Sequence, residues 1–318
     1  MGVSLADVQA ARDRIAPYVR RTPLARSPLL SRRCGVDVWL KLETQQHTGS
    51  FKPRGALNKL MTLAPEERAR GIAAASAGNH ALGVAYACGV LGIRKADLFV
   101  QANASPAKLA KIREYPVRLH PVGASYEDAQ QAALAHSQRT GATFASAYDD
   151  EAVLAGQGSC GLEILDELDA FDAVVIPVGG GALSAGIAVA VKALRPGVRV
   201  IGVNAAASPS ALLSFQRGEA LDPFEHEPSM AHGLAGGYGR IPFAVARTLI
   251  DEIVLVTEAE MKRAMATLID TDQVLAEASG IAGVAAVIEG KSKALSGRVV
   301  VVVSGGNVDT ATLREVLG

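Results

Sequence analysis

Short apolar runs rich in β-branched residues alternate along the chain with longer amphipathic segments. The runs that predict buried strands cover residues 36–40, 72–75, 173–178, 198–203, 253–256 and 299–303. The segments with helical periodicity cover residues 4–19, 125–138, 182–194, 258–270 and 310–317. Alternation of strands and helices over the whole chain predicts an α/β fold, with parallel or mixed sheets covered by helices on both faces.

The stretch 72–144 alternates on a smaller scale and predicts a separate small sheet. We therefore expect two domains. The small domain covers residues 69–144, and the large domain is discontinuous, covering residues 1–68 and 145–318.

Composition and charge narrow the class of protein. Of the 318 residues, 49% are hydrophobic and 20% are charged, which is typical of a globular enzyme. Because 32 basic residues balance 32 acidic ones, we expect no nucleic-acid partner. The first ten residues contain no apolar run, so we expect no signal peptide, and no apolar stretch reaches the roughly 20 residues of a membrane span. Three widely spaced cysteines predict free thiols in a reducing cytoplasm.

The sequence S-F-K-P-R-G-A at residues 50–56 contains the first candidate for chemistry, Lys52. A lysine at the start of a helix, followed by Pro53, lies at the positive end of the helix dipole, where its ammonium form is disfavoured. A lowered pKa is what a lysine needs in order to form a Schiff base. The alternative is an ordinary solvated lysine.

Three turns rich in small residues follow predicted strands, namely S-A-G-N-H at 76–80, G-G-G-A-L-S at 179–184 and S-G-G-N at 304–307. Free N–H groups at such strand ends suit a carboxylate or a phosphate. The alternative is helix capping, for example by Ser76 or Asn79. A nicotinamide site is not expected, because Ser184 breaks the G-x-G-x-x-G pattern and the strand 198–203 is followed by Asn204 rather than by an acidic residue.

Taken in order, these motifs resemble the fold-type II enzymes that depend on pyridoxal 5′-phosphate (PLP). This group includes threonine and serine dehydratases, serine racemase and tryptophan synthase β. The resemblance extends to R-T-P-L at 21–24, K-L-E at 41–43, A-G-Q-G at 155–158 and E-A-S-G at 277–280. It therefore covers nearly the whole chain and implies a two-domain fold of the tryptophan synthase β type.

The resemblance implies a role for each motif. Lys52 would carry PLP and later remove the Cα proton, while Phe51 would pack against the cofactor. Asn79 would bind the 3′-oxygen, and Ser304 would face the pyridine nitrogen. The phosphate would be held by Gly179, Gly180, Gly181, Ala182 and Leu183, and the substrate by Ser76, Ala77, Gly78, His80, His232 and Glu277.

Departures from the family pattern refine these expectations. Ala77 stands where racemases have a serine as second base, which favours a dehydratase, and Ala182 replaces a fourth glycine of the phosphate loop. Asn204 stands where many relatives bind a divalent cation through a carboxylate, so we expect no metal. His232 replaces an aspartate beside the substrate side chain; we expect it to widen tolerance to substrates such as hydroxyaspartate, the alternative being a solvent-facing loop histidine.

The expected activity is that of a PLP-dependent ammonia-lyase, which removes water and ammonia from L-threonine, L-serine or a related β-hydroxy amino acid to give a 2-oxo acid. A hydroxyl at Ser304 stabilises a pyridinium less than a carboxylate would, which favours elimination over transamination. The alternatives are an amino-acid racemase, a β-replacement enzyme, or a catalytically silent relative that acts as a ligand sensor. The resemblance also implies a homodimer, and composition indicates a cytoplasmic protein.

Overall fold

The computed structural model describes residues 2–318, with the backbone alone at Ala107. The helices are α1 (Leu5–Ile15), α2 (Pro28–Cys34), α3 (Lys52–Thr62), α4 (Pro65–Arg70), α5 (Asn79–Val90), α6 (Pro106–Arg113), α7 (Tyr126–Thr140), α8 (Glu151–Glu167), α9 (Ala182–Leu194), α10 (Ser210–Arg217), α11 (Arg240–Ala246), α12 (Glu258–Asp272), α13 (Ala278–Ile288) and α14 (Thr310–Leu317). The strands are β1 (Leu24–Arg26), β2 (Asp37–Leu42), β3 (Ile72–Ala75), β4 (Ala96–Val100), β5 (Arg118–Pro121), β6 (Thr143–Phe144), β7 (Ala173–Pro177), β8 (Arg199–Ala205), β9 (Glu252–Val256) and β10 (Arg298–Val303). Two single 3-10 turns lie at Ala16–Tyr18 and Glu43–Gln45.

The larger sheet has six strands in the order β1-β2-β10-β7-β8-β9. Only the edge strand β1 is antiparallel to its neighbour. The central strand β10 is a run of valines in which Val301 lies opposite both Leu40 and Val175. Alternate valines enter the cores on opposite faces of the sheet, Val301 in one and Val300 in the other. A strand buried on both faces explains why the sequence shows a continuous apolar run here.

The smaller sheet has four parallel strands in the order β5-β4-β3-β6. Helix α5 contributes to the core on one face, and α7 packs against the other. The two sheets with their covering helices confirm the predicted α/β class with parallel and mixed sheets. All four strands come from the predicted small domain, and the division of the chain into domains near residues 69 and 144 stays a prediction. No helix within residues 2–318 is long and apolar enough to cross a lipid bilayer.

Four short strands were not predicted, namely β1, β4, β5 and β6. In β4 the apolar run is interrupted by Asp97, which is buried and accepts two hydrogen bonds from Arg118 of β5 at 2.8 and 2.7 Å. His120 of the same edge strand lies 2.7 Å from Asp97. A charged residue inside a strand is tolerated because the neighbouring strand supplies its partners, and that pairing cannot be seen in a local apolar pattern.

A buried ion network joins the start of α3 to β2 and α8. The guanidinium of Arg54 donates to Glu43 at 2.8 Å and to Glu163 at 2.7 and 2.8 Å, and Arg54 and Glu43 are fully buried. The ammonium of Lys41 lies 2.7 Å from Glu163 and donates to the carbonyl oxygen of Thr22 at 2.6 Å. Two cations therefore face two anions. Moving α3 would separate these buried charges, at a large cost in free energy.

We expect Glu163→Gln to lower the free energy of unfolding by about 3 kcal/mol, because Arg54 and Lys41 would then share a single buried carboxylate. The matched control is Glu167→Gln, which removes a carboxylate that is one-quarter exposed and 3.6 Å from Lys41. It should cost less than about 1 kcal/mol. Urea unfolding followed by circular dichroism measures the free energy of unfolding of both variants. Equal losses of stability in the two variants would contradict the role of the network.

Candidate active site

Lys52 is the first residue of α3, and the loop that precedes it is hydrogen-bonded to the end of β10. Phe51 donates its amide to the carbonyl oxygen of Ser304 at 3.1 Å, and the Lys52 ammonium donates to the carbonyl oxygen of Ala147 at 2.9 Å. Burial lowers the pKa of Lys52 to about 8, although the carboxylate of Glu277 acts in the opposite direction. The lowered pKa agrees with the expectation from sequence, but its main cause is burial.

The glycine loop between β7 and α9 has the properties of an anion site. The amide groups of residues 180–183 donate no hydrogen bond to any other described residue, and they lie at the N-terminus of the 13-residue helix α9. Gly181 has a φ of 97°, a conformation that favours glycine. A Cβ at Gly179 would collide with the carbonyl oxygen of Gly233, and one at Gly180 with the ring of Tyr148. Free amides at the positive end of a helix fit a phosphate group.

Asn79, at the start of α5, contacts the residue that caps α13 and the turn that follows β10. Its Nδ2 donates to the carboxylate of Glu277, and its Oδ1 accepts from Nδ2 of Asn307 at 2.8 Å. Asn307 also donates to the carbonyl oxygen of Thr48 at 2.7 Å. Burial raises the pKa of Glu277, although Asn79 and nearby lysines act in the opposite direction. The amide of Asn79 is thus held in one orientation from both sides.

The turn at residues 76–78 leads from β3 into α5. The cap residue of α5 is Gly78, so the interpretation of Ser76 or Asn79 as the helix cap was wrong. Instead, the hydroxyl of Ser76 accepts from the amide of Gly78 at 3.1 Å. Ala77 is partly exposed in the same turn. The role of this turn in binding a substrate carboxylate stays a prediction.

The imidazole of His80 contacts the backbone just after β6. Its Nε2 lies 2.9 Å from the carbonyl oxygen of Ala145, and the side chain is buried. Burial and the charge of Lys52 lower the pKa of His80 to about 3, so the ring is neutral at physiological pH. A contribution of His80 to anion binding would therefore come from its backbone amide.

His232 and Asn204 both lie near the start of the glycine loop. His232 is exposed and precedes Gly233, which packs against Gly179. Asn204 is buried; its Nδ2 donates to the carbonyl oxygen of Val178 at 3.0 Å and its Oδ1 accepts from an α10 amide at 3.1 Å. Both ends of the Asn204 amide are therefore used internally. Within residues 2–318, no group of three or more His, Cys, Asp or Glu side chains is arranged to hold a metal ion.

Sequence reasoning missed Tyr148, whose ring lies against Gly180, and its hydrogen-bond partner Asp222. The Tyr148 hydroxyl donates to both carboxylate oxygens of Asp222, at 3.2 and 3.1 Å. Neither residue lies in a recognisable motif, and 74 residues separate them. No local signal could have paired them.

Comparison with known proteins agrees with this geometry. A family model described as pyridoxal-phosphate dependent enzyme matches residues 15–305. The L-threonine ammonia-lyase of Thermotoga maritima is 40% identical over 316 residues, which are 99% of this chain and 78% of that protein. The catabolic L-threonine dehydratase of Escherichia coli strain K12 is 36% identical, over 99% of this chain and 96% of its own. The solved structure of maize serine racemase superposes with a TM-score of 0.93 at 31% identity, covering 99% of this chain and 97% of that one.

The lowered pKa of Lys52 predicts how pH controls its reaction with an aldehyde. Only the neutral amine attacks, so the rate at which the cofactor-free protein captures PLP should rise with pH and level off above about 8. An ordinary lysine would level off only above about 10. Stopped-flow absorbance measures this rate. Glu277→Gln should move the midpoint of the rate-against-pH curve to lower pH, because Glu277 favours the charged amine. A midpoint near 10 in the unaltered protein would contradict the lowered pKa of Lys52.

Proposed function

The chain belongs to the family of pyridoxal-phosphate-dependent enzymes, and from this premise we propose that it removes water and ammonia from L-threonine, L-serine or a related β-hydroxy amino acid, giving a 2-oxo acid. The observation that carries the proposal is that the Lys52 amine is linked through its neighbours to both polar elements of the site. Lys52 donates to Ala147, and the adjacent Tyr148 packs on Gly180 of the turn of free amides. The carboxylate of Glu277 accepts from Asn79 and acts on the charge of Lys52. The names of the relatives at 36–40% identity support the choice of reaction.

The residues present fit the cofactor. We assign Lys52 as its covalent anchor, Phe51 as its packing partner, Asn79 as the donor to its ring oxygen and Ser304 as the partner of its ring nitrogen. The phosphate is assigned to the backbone of Gly179, Gly180, Gly181, Ala182 and Leu183. When bound, PLP withdraws electrons from the substrate Cα and so weakens its C–H bond.

Proton transfer is assigned to Lys52. With a pKa of about 8, an appreciable fraction of the amine is neutral near pH 7, so it can accept the Cα proton. The carbonyl oxygen of Ala147 holds the nitrogen in place at 2.9 Å. The hydroxyl of Ser304 is a weak partner for positive charge, and this favours prompt loss of the β-hydroxyl over reactions that need a long-lived carbanion.

Racemisation is the second candidate, favoured by the close superposition on maize serine racemase. Ala77 opposes it, because a methyl group cannot deliver a proton to the other face of Cα.

We also propose a cytoplasmic homodimer that binds a free amino acid and no nucleic acid or membrane. The family resemblance supports the dimer, and the free thiols of Cys34, Cys88 and Cys160 support the compartment.

We expect Lys52→Ala to lose covalent PLP and essentially all release of 2-oxo acid from L-threonine and L-serine, because both the anchor and the base are removed. The matched control is Lys59→Ala in the same helix, where the ammonium pairs with Asp150 instead. Borohydride reduction and peptide mapping locate the cofactor, and a coupled assay measures the 2-oxo acid. Attachment at any other lysine, or no 2-oxo acid from the unaltered enzyme, would overturn the assignment.

We expect L-serine to yield pyruvate with little D-serine, because Ala77 supplies no second acid or base. Ala77→Ser should raise the ratio of D-serine to pyruvate by about tenfold or more, the low end of what a positioned proton donor contributes. Chiral chromatography of the same reaction mixtures measures both products. D-serine that forms as fast as pyruvate in the unaltered enzyme would favour the racemase instead.

A further inference from the structure

A continuous path of hydrogen bonds leads from the surface of α6 to the amide of Asn79. The ammonium of Lys111, an exposed residue, donates to Oδ1 of Asn307 at 3.2 Å. Nδ2 of Asn307 donates in turn to Oδ1 of Asn79 at 2.8 Å. At the end of the path, Nδ2 of Asn79 donates to the carboxylate of Glu277. Lys111 is therefore connected, through one intermediate side chain, to the amide assigned to the ring oxygen of the cofactor.

The place of Lys111 follows from how α6 packs. Leu109 and Ile112 are buried in the core on one face of the small sheet, and they anchor the helix there. Lys108 and Lys111 are three residues apart, so they lie on a common face of α6. Burial raises the pKa of Glu277 and the charges of both lysines act against it, which agrees with this face being directed at the site. Lys111 thus joins a helix of the small sheet to a turn of the large one.

The donors and acceptors along the path favour one orientation of each amide. A lysine ammonium can only donate, and the carbonyl oxygen of Thr48, which lies 2.7 Å from Nδ2 of Asn307, can only accept. Asn307 therefore turns its oxygen toward Lys111 and a second N–H toward Asn79. Asn79 answers with its own oxygen, which leaves its Nδ2 for the site. Glu277 takes one N–H of that nitrogen, and the other donates to no described residue.

The middle of the path is confined by a close approach of two turns. Gly49 has a φ of 72°, and a Cβ there would lie 3.1 and 3.2 Å from the two polar atoms of the Asn307 side chain. The amide of Gly306 donates to the carbonyl oxygen of Gly49 at 2.8 Å, which holds the turn carrying Asn307 against the loop that precedes α3. Lys111 lies outside this packing, so its ammonium can be removed without disturbing the turns.

We propose that Lys111 is a positioning residue for the cofactor: by donating to Asn307, it holds the amide of Asn79 with its nitrogen directed at the cofactor's ring oxygen. This inference rests on the proposed function and on the assignment of Asn79 to that oxygen. It adds to the site a residue of α6 that lies outside every motif of the sequence. The contact between α6 and the turn after β10 thereby contributes to the affinity for the cofactor.

The dissociation constant of PLP tests the proposal, measured by titrating the cofactor-free protein and following visible absorbance. Lys111→Met keeps the length of the side chain and removes the donor, so it should raise the dissociation constant by about three- to tenfold. Lys111→Arg keeps a charged donor and should restore the value to within about twofold. The matched control is Arg113→Met, which removes a positive charge from another exposed position of α6 and should also change the value by less than about twofold.

A double-mutant cycle separates the hydrogen-bond path from general attraction of the anionic cofactor. Asn79→Ala ends the path before the site, so adding Lys111→Met to it should change the dissociation constant by less than about twofold. The visible band of the cofactor-loaded enzyme gives a second readout, because the ring oxygen is part of the chromophore. Lys111→Met should shift this band in the same direction as Asn79→Ala, and by a smaller amount.

The outcomes distinguish this inference from the proposed function. If the unaltered protein does not bind PLP, or releases no 2-oxo acid, the proposed function fails. If it does both, the role of Lys111 is overturned by any of three results: Asn79→Ala leaves PLP binding unchanged, Lys111→Met leaves affinity and absorbance unchanged, or Lys111→Met weakens binding equally with and without Asn79. Thermal unfolding identifies variants that do not fold. Should Asn79→Ala be one of them, Asn307→Ala interrupts the path one residue earlier, and in that background too Lys111→Met should have no effect.

Discussion

The network of Arg54, Glu43, Glu163 and Lys41 is the interaction on which the geometry of the site depends. Charges removed from water are tolerated only when each has a partner in good geometry, so a shift of β2, α3 or α8 that broke these pairs would be costly in free energy. Arg54 is two residues from Lys52 in the first turn of α3. Fixing the guanidinium therefore fixes where the reactive amine emerges.

Close approach of backbones is the second constraint. The turn at 179–181 lies against Gly233 and Tyr148, and Gly280 lies so near the backbone of Gly305 that a Cβ there would collide with it. Glycine is needed at these positions because a side chain would push the turns apart. Loops from distant parts of the chain can then converge at the ends of parallel strands, which is where α/β proteins bind ligands.

The electrostatics of the site follow from this packing. The same enclosure lowers the pKa of the Lys52 amine and raises the pKa of the Glu277 carboxyl, because a low-dielectric environment disfavours both charged forms. An amine that is readily neutral can attack a carbonyl and accept a proton near pH 7. Burial thus supplies the reactivity that the position of Lys52 at a helix start had suggested.

The sequence alone determined the α/β class, the main strands of the large sheet and the order of the site motifs, because each is encoded locally by apolar runs, helix signals and glycine turns. It did not determine the strand β4, whose Asp97 is acceptable only beside Arg118, nor the pair formed by Tyr148 and Asp222. It also attributed the lowered pKa of Lys52 to the helix dipole, whereas burial causes it. These features depend on residues that are distant in the chain, and only the folded arrangement of the two sheets brings such residues into contact and removes water from between them.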